Sequence, residues 1–201
     1  MMNTTTQTNT LHTPIVHRKT PLVKRFLQIV GGLLAVAVLV IIAALFVANF
    51  VLTGLDAGTP APMFSAQDLN GQPVQLRAYA GKPVMLTFWS PDCFACREEL
   101  PALQAIASDP NADVTLLTVV SKVSAAEVQE FVAANGLTFP IVLDETSAIA
   151  HDYKITGVPT SYFINPDGKV DHNVIGAGGE GALTNNLTAW LSTCNLGEVC
   201  K

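Results

Sequence analysis

Residues 88–101 read Phe88-Trp89-Ser90-Pro91-Asp92-Cys93-Phe94-Ala95-Cys96-Arg97-Glu98-Glu99-Leu100-Pro101. An apolar, β-leaning run, Val84–Trp89, leads into this stretch, and a segment of helical character, 97–107, leads out of it. A Cys-x-x-Cys pair at the junction of a strand and a helix has a chemical consequence. One helical turn brings the two sulfurs within bonding reach. The unsatisfied N–H groups and dipole of a helix N-terminus favour negative charge on the first of them. Cys93 is therefore expected to be a ready thiolate, the form that attacks a disulfide. Cys96, one turn deeper, is expected to resolve the mixed disulfide. The same spacing also fits half a zinc site or a purely structural disulfide. Zinc would need two further Cys or His ligands. The remaining candidates, Cys194, Cys200, His151 and His172, form no second tight knuckle near this one, so no metal is expected.

The chain has 201 residues, enough for one domain with appendages, and 49% of them are hydrophobic. Much of that share lies in residues 26–52, which carry no charge and include only Gln28 and Asn49 as strongly polar residues. At about 1.5 Å per residue such a helix crosses a hydrocarbon core of about 30 Å. A cleaved signal peptide would have a shorter apolar core, of about 7–15 residues, and a small-residue cleavage site after it. An uncleaved anchor is the expectation. Arg18, Lys19, Lys24 and Arg25 precede the span, and no acid occurs before Asp56. The positive-inside rule then puts the N-terminus in the cytoplasm and the rest of the chain on the periplasmic or extracytoplasmic side. That outer part holds all 16 acidic residues and seven basic ones. Such an acidic domain does not suit nucleic acid as a partner. It would sit where disulfides form and persist.

The expected organisation is a disordered cytoplasmic tail at 1–25, the anchor at 26–52, a linker at 53–62, a folded domain at 63–193 and a C-terminal tail at 194–201. The domain opens with two strands around Asn70-Gly71, a pair that supplies the positive φ values of a tight hairpin turn. Val84–Trp89 reads as a buried central strand, and Pro101 should kink the helix that follows it. A strand at 113–120 precedes a helix that opens at the capping box Ser124-Ala125-Ala126-Glu127 and stops at Asn135-Gly136. A short extended piece at 139–143 and one or two helical turns at 146–153 come next. The turn Asn165-Pro166-Asp167-Gly168 joins strands at 161–164 and 169–175 into a hairpin, and an amphipathic helix covers 182–191. The order β–β–β–α–β–α–β–β–α implies an α/β fold, a mixed sheet with helices on both faces.

Together these residues resemble the membrane-anchored TlpA/ResA/CcmG group of thioredoxin-fold thiol–disulfide oxidoreductases. The resemblance covers residues 61–191. It rests on Asp68-Leu69-Asn70-Gly71 with Val74 and Leu76, on Gly81-Lys82-Pro83-Val84, on Phe88-Trp89, and on Cys93 and Cys96. Glu99, Pro101, Gly157-Val158-Pro159-Thr160 and Asn165-Pro166-Asp167-Gly168 complete it. It implies a thioredoxin-like mixed sheet with an N-terminal β-hairpin, preceded by one transmembrane helix. It implies a cis bond before Pro159, with the Val158 backbone offered to an extended substrate. Trp89 matches the aromatic before the active loop and joins Val158 and Pro159 in the substrate-side set, packed beneath the disulfide. Glu99, three residues after Cys96 and so on the same helix face, matches an acid that ResA-type members use near their cysteines. Thioredoxin has a buried Asp six residues before its first cysteine; here that residue is Thr87, which puts more weight on Glu99.

The implied activity is disulfide reduction on exported proteins, for example keeping the cysteines of apocytochrome c reduced. A membrane thiol reductase would supply the electrons, and no cofactor is implied. Cys194 and Cys200 lie outside the shared pattern; the expectation is a second disulfide that closes the C-terminal end, with a mobile redox pair feeding Cys93, free thiols or metal binding as the alternatives. Two other activities occur on this fold. A peroxidase would place Thr or Ser three residues before its cysteine and Pro seven before; these positions are Ser90 and Leu86, so half that pattern is missing. A copper metallochaperone would want Cys-x-x-x-Cys with a nearby His, and the spacing here is one residue shorter.

Overall fold

The computed structural model describes residues 22–52, 54–178 and 181–195. The chain divides into two units, one up to Ala48 and one from Asn49 onward. The described part of the first unit belongs to a helix, α1 (Leu22–Leu52, 31 residues), whose last residues fall in the second unit; it starts four residues before the expected span and takes in Lys24 and Arg25. Both are good helix formers, and their long side chains can carry charge away from an apolar cylinder. Residues Leu22–Val47 are long and apolar enough to cross a membrane.

The second unit is built on a seven-stranded sheet in the order β2-β1-β5-β4-β3-β6-β7. The strands are β1 (Ser65–Asp68), β2 (Pro73–Gln75), β3 (Val84–Trp89), β4 (Thr115–Ser121), β5 (Ile141–Asp144), β6 (Thr160–Ile164) and β7 (Val170–Ile175). The helices are α2 (Phe94–Ser108), α3 (Ala125–Asn135), α4 (Ala148–Asp152) and α5 (Ala182–Asn195), with a 3-10 turn at Leu76–Tyr79. Strand β3 lies parallel to β4 and antiparallel to β6. All six of its residues are buried because both sheet faces are covered. Met85 and Trp89 face a core shared with α2, α3 and α5, whereas Leu86 and Phe88 face one shared with α4 and the 3-10 turn.

Three local readings change. The extended piece at 139–143 is a full strand, β5, which sits between β1 and β4 and joins the hairpin to the sheet. At the hairpin itself only Gly71 takes a positive φ, +75°, and Asn70 does not. Asp68 shapes a longer turn: its Oδ1 accepts from the N–H groups of Asn70 (2.9 Å) and Gln72 (2.7 Å). Helix α5 runs past residue 191 to Asn195, which puts Cys194 on its buried stripe with Leu183, Leu187 and Trp190. Cys200, its expected partner, lies outside the described residues, as do the tail residues 1–21.

The segment expected as a linker is bound to the sheet. Gly58 N–H donates to the Val170 carbonyl (2.7 Å), Val170 N–H to Thr59 (2.8 Å) and Ala61 N–H to Gly168 (2.9 Å). Leu55 is buried; its N–H donates to Tyr162 Oη (3.1 Å) and its carbonyl accepts from Asn173 Nδ2 (3.1 Å). Tyr162 in turn donates to the Tyr153 carbonyl (2.6 Å), and Tyr153 to the Pro62 carbonyl (3.0 Å). Burial holds both phenols above their ordinary pKa, so they remain donors.

Gly54 is where this clamp is tightest. Its φ is +62°, and an added Cβ would lie 2.5 Å from Tyr162 Oη and 2.7 Å from Asn173 Nδ2. Gly54→Ala is expected to cost about 2–4 kcal/mol from backbone strain and overpacking. Gly58→Ala meets open space at φ +81° and is expected to cost only about 1 kcal/mol. Denaturant unfolding of the full chain in detergent compares the two; equal losses would mean that contact with Tyr162 and Asn173 adds nothing.

Candidate active site

Cys93 is the N-cap of α2, with extended backbone angles (φ −82°, ψ 111°) and a sulfur that accepts from Cys96 N–H at 3.0 Å. Ser90-Pro91-Asp92 is too polar and Pro-bound to continue β3, so the chain turns here and α2 begins at Phe94, three residues earlier than expected. Cys93 Sγ therefore occupies the place where a capping oxygen would sit, against the free N–H groups of the first turn. The two cysteines form a disulfide, with Cα atoms 5.2 Å apart. Cys96 is buried in the core, and Cys93 remains partly exposed. The outer sulfur is the accessible one, in the position that stabilises a thiolate.

The loop before β6 faces this pair. The Val158–Pro159 peptide bond is cis, and the Val158 carbonyl oxygen lies 3.5 Å from Cys93 Sγ. The active loop is braced from the other side by Arg97. Its Nε donates to the Pro91 carbonyl (2.7 Å), and its guanidinium lies 5.4 Å from the centre of the Phe131 ring. Trp89 is only 2% exposed and packs against Phe131 and Phe139, in the same core as Cys96. It supports the pair from beneath and is not on the surface a substrate touches.

Glu99 is buried, at 8% exposure, whereas its neighbour Glu98 is exposed. Glu99 lines a cavity of about 540 Å³ with Pro101, Ala102, Ala177 and Leu183. Burial raises its pKa above the ordinary carboxylate value. Thr87 is fully buried on β3, and its hydroxyl pairs with that of Ser161 on β6 at 2.9 Å. Glu99 is thus the ionisable carboxyl on the cysteine-bearing face of α2 that is shielded from solvent.

Residues 57–173 match the AhpC/TSA family. The chain belongs to that family. Its similarity runs to the thiol–disulfide oxidoreductases. ResA of Bacillus subtilis strain 168 is 34% identical over 159 residues, 76% of this chain and 87% of ResA. Among solved structures, StoA of Bacillus subtilis is 30% identical, with a TM-score of 0.56 over 64% of this chain and 97% of StoA. A secreted disulfide oxidoreductase of Mycobacterium tuberculosis, homologous to E. coli DsbE, is 29% identical. Its TM-score is 0.57, over 63% of this chain and 95% of that one.

This AhpC/TSA member is accordingly a ResA-like thiol–disulfide oxidoreductase with a thioredoxin-like fold. The peroxide-related positions behave as ordinary structure here. Leu86 is a buried core residue of β3, and Ser90 Oγ accepts from Asp92 N–H within the loop (3.4 Å). His172, an early ligand candidate, is stacked on Phe163 with ring centres 4.3 Å apart. Two residues of the site escaped the sequence reading. Arg97 is exposed, yet its Nε turns back to the Pro91 carbonyl, and nothing in the sequence signals that contact. Phe94, between the two cysteines, is 77% exposed, which its apolar side chain gave no reason to expect.

Proposed function

We propose that this oxidoreductase works as a membrane-tethered disulfide reductase on exported proteins, with apocytochrome c among its candidate substrates. Helix α1 would be the anchor, with the basic residues before it in the cytoplasm and the second unit on the opposite side. A membrane thiol reductase would return electrons to the pair.

The observation that carries this reading is the stacking of an accessible Cys93, capping α2, over a buried Cys96 with Glu99 on the same helix. Cys93 thiolate attacks one sulfur of a substrate disulfide, forming a mixed disulfide and releasing the other substrate sulfur as a thiolate. Cys96 gives up its proton and attacks Cys93, closing the Cys93–Cys96 bond and releasing the second substrate thiolate. Two electrons have moved from the dithiol to the substrate. Glu99 is proposed to take the Cys96 proton and to return it when the pair is reduced again.

Measuring the reduction potential of Cys93/Cys96 in the detergent-solubilised full chain tests the direction. A value near about −270 mV, as in thioredoxin, supports a reductase; one near about −120 mV, as in a strong oxidant, would sink it.

A further inference from the structure

Arg97 is exposed, yet its guanidinium has two fixed contacts. Its Nε donates to the Pro91 carbonyl at 2.7 Å, and its central carbon lies over the Phe131 ring, 5.4 Å from the centroid. A planar guanidinium can donate in its plane and stack on a ring at the same time, which a lysine ammonium cannot. Phe131 comes from α3 and packs on Trp89, with ring centres 5.7 Å apart. Trp89 is buried in the same core as Cys96. A stack therefore runs from the core beneath the redox pair, through Phe131, to Arg97. It ends on the carbonyl of the loop residue two positions before Cys93. Within the loop, Cys93 N–H donates to the Ser90 carbonyl (3.2 Å) and Asp92 N–H to Ser90 Oγ (3.4 Å). The bond from Arg97 ties that turn to the helix that Cys93 caps.

We propose that Arg97 is a positioning residue for Cys93: seated on Phe131, it holds the Ser90–Asp92 loop so that the Cys93 sulfur stays at the N-terminus of α2. The proposal rests on the disulfide-exchange reading of Cys93/Cys96 and adds to it the part that fixes the attacking sulfur. Cys96 needs no such support, because it is buried within α2 itself. Cys93 sits at the junction of loop and helix, where its sulfur accepts from Cys96 N–H at 3.0 Å. That contact favours the thiolate, and it is lost when the loop lets Cys93 swing outward. Loosening the loop therefore raises the pKa of Cys93 and slows its attack at pH below that pKa. A charge effect alone would act through the sign of the guanidinium and would owe nothing to Phe131. Asp92, beside Cys93, and Glu98 and Glu99 on α2 are present in every variant below, so none of them accounts for a difference between variants.

The test uses the reduced full chain in detergent. Alkylation by iodoacetamide against pH reads the Cys93 pKa without any disulfide exchange. Single-turnover reduction of 2-hydroxyethyl disulfide reads the attack itself. Arg97→Met removes both contacts and is expected to raise the Cys93 pKa. It should slow attack about fivefold or more below that pKa, with the loss shrinking once Cys93 is fully ionised. Arg97→Lys keeps the charge without the planar stack and is expected to recover less than about half of the loss. Phe131→Leu keeps Arg97 and its charge, and is expected to reproduce part of the loss. Added to Arg97→Met, it is expected to cost nothing further, a coupling that independent effects lack. A native alkylation curve for Arg97→Met, a larger recovery by Arg97→Lys, or losses that multiply in the double variant overturns the proposal; the second of these would assign the effect to charge alone. If the native chain fails to reduce the disulfide, the exchange reading falls, while the alkylation curves still decide whether Arg97 and Phe131 hold Cys93 in place.

Discussion

Cys96→Ser is expected to convert the enzyme into a trap that accumulates mixed disulfides through Cys93. Cys93→Ser is expected to lower the rate of attack on a disulfide by at least about three orders of magnitude. The asymmetry follows from position. Cys93 is partly exposed, caps α2 and lies beside the Val158 carbonyl, whereas Cys96 is buried behind it. Without Cys96 no internal thiol can displace a substrate bound to Cys93, so the intermediate persists. Non-reducing gel shifts with a cysteine-bearing peptide read both variants. Trapping by Cys93→Ser and none by Cys96→Ser would reverse the assignment.

Glu99→Gln is expected to slow disulfide reduction near neutral pH by about a hundredfold, in the range of one general acid–base group. It is also expected to lower the pKa values of the thiols, because a negative charge nearby disfavours thiolates. The two effects oppose each other, since more thiolate alone would speed attack; a slower enzyme with more acidic thiols is the signature of a lost proton carrier. Glu98→Gln, on an exposed neighbour, is expected to change neither. Thiolate absorbance against pH and single-turnover rates distinguish these outcomes, and unchanged curves for Glu99→Gln would remove it from the site.

Stability supplies an independent check on the same residue. Burial raises the Glu99 pKa above 4.5, so between that value and its native pKa the folded state holds a proton that the unfolded state has lost. Ionising Glu99 therefore costs stability as pH rises through this window, and the loss persists above it. Glu99→Gln does not ionise and should escape that loss. The difference in unfolding free energy between variant and parent should shift in the variant's favour as pH rises above 4.5.

Local pattern carried much of the fold. Val84–Trp89, a near-continuous apolar run, read as a buried central strand, and in the fold all six of its residues are buried. Ser124 did cap α3, accepting from Glu127 N–H at 3.3 Å, and Gly136 ended it at φ +63°. These signals act within one or two turns of chain, so they are written in the local sequence. The piece at 139–143 had no such signal. It is four residues long as a strand, and its place between β1 and β4 exists only because partners far apart in sequence supply its hydrogen bonds.

For the site, the Cys-x-x-Cys spacing at a strand–helix junction marked the pair that forms the disulfide, and it set the expected order of attack, because a helix N-terminus treats its first and fourth residues differently. The long uncharged run likewise marked a segment able to span a membrane. Only the tertiary structure decided how the neighbours of that pair are buried and bonded. It buried Glu99 but left Glu98 in solvent, although the two are adjacent acids on one helix. It bent Arg97 back onto Pro91, left Phe94 open, and turned a Gly- and Pro-rich linker into a segment clamped by Tyr153, Tyr162 and Asn173. Exposure and long-range hydrogen bonding depend on what arrives from elsewhere in the chain, and a residue's own sequence neighbourhood does not contain that information.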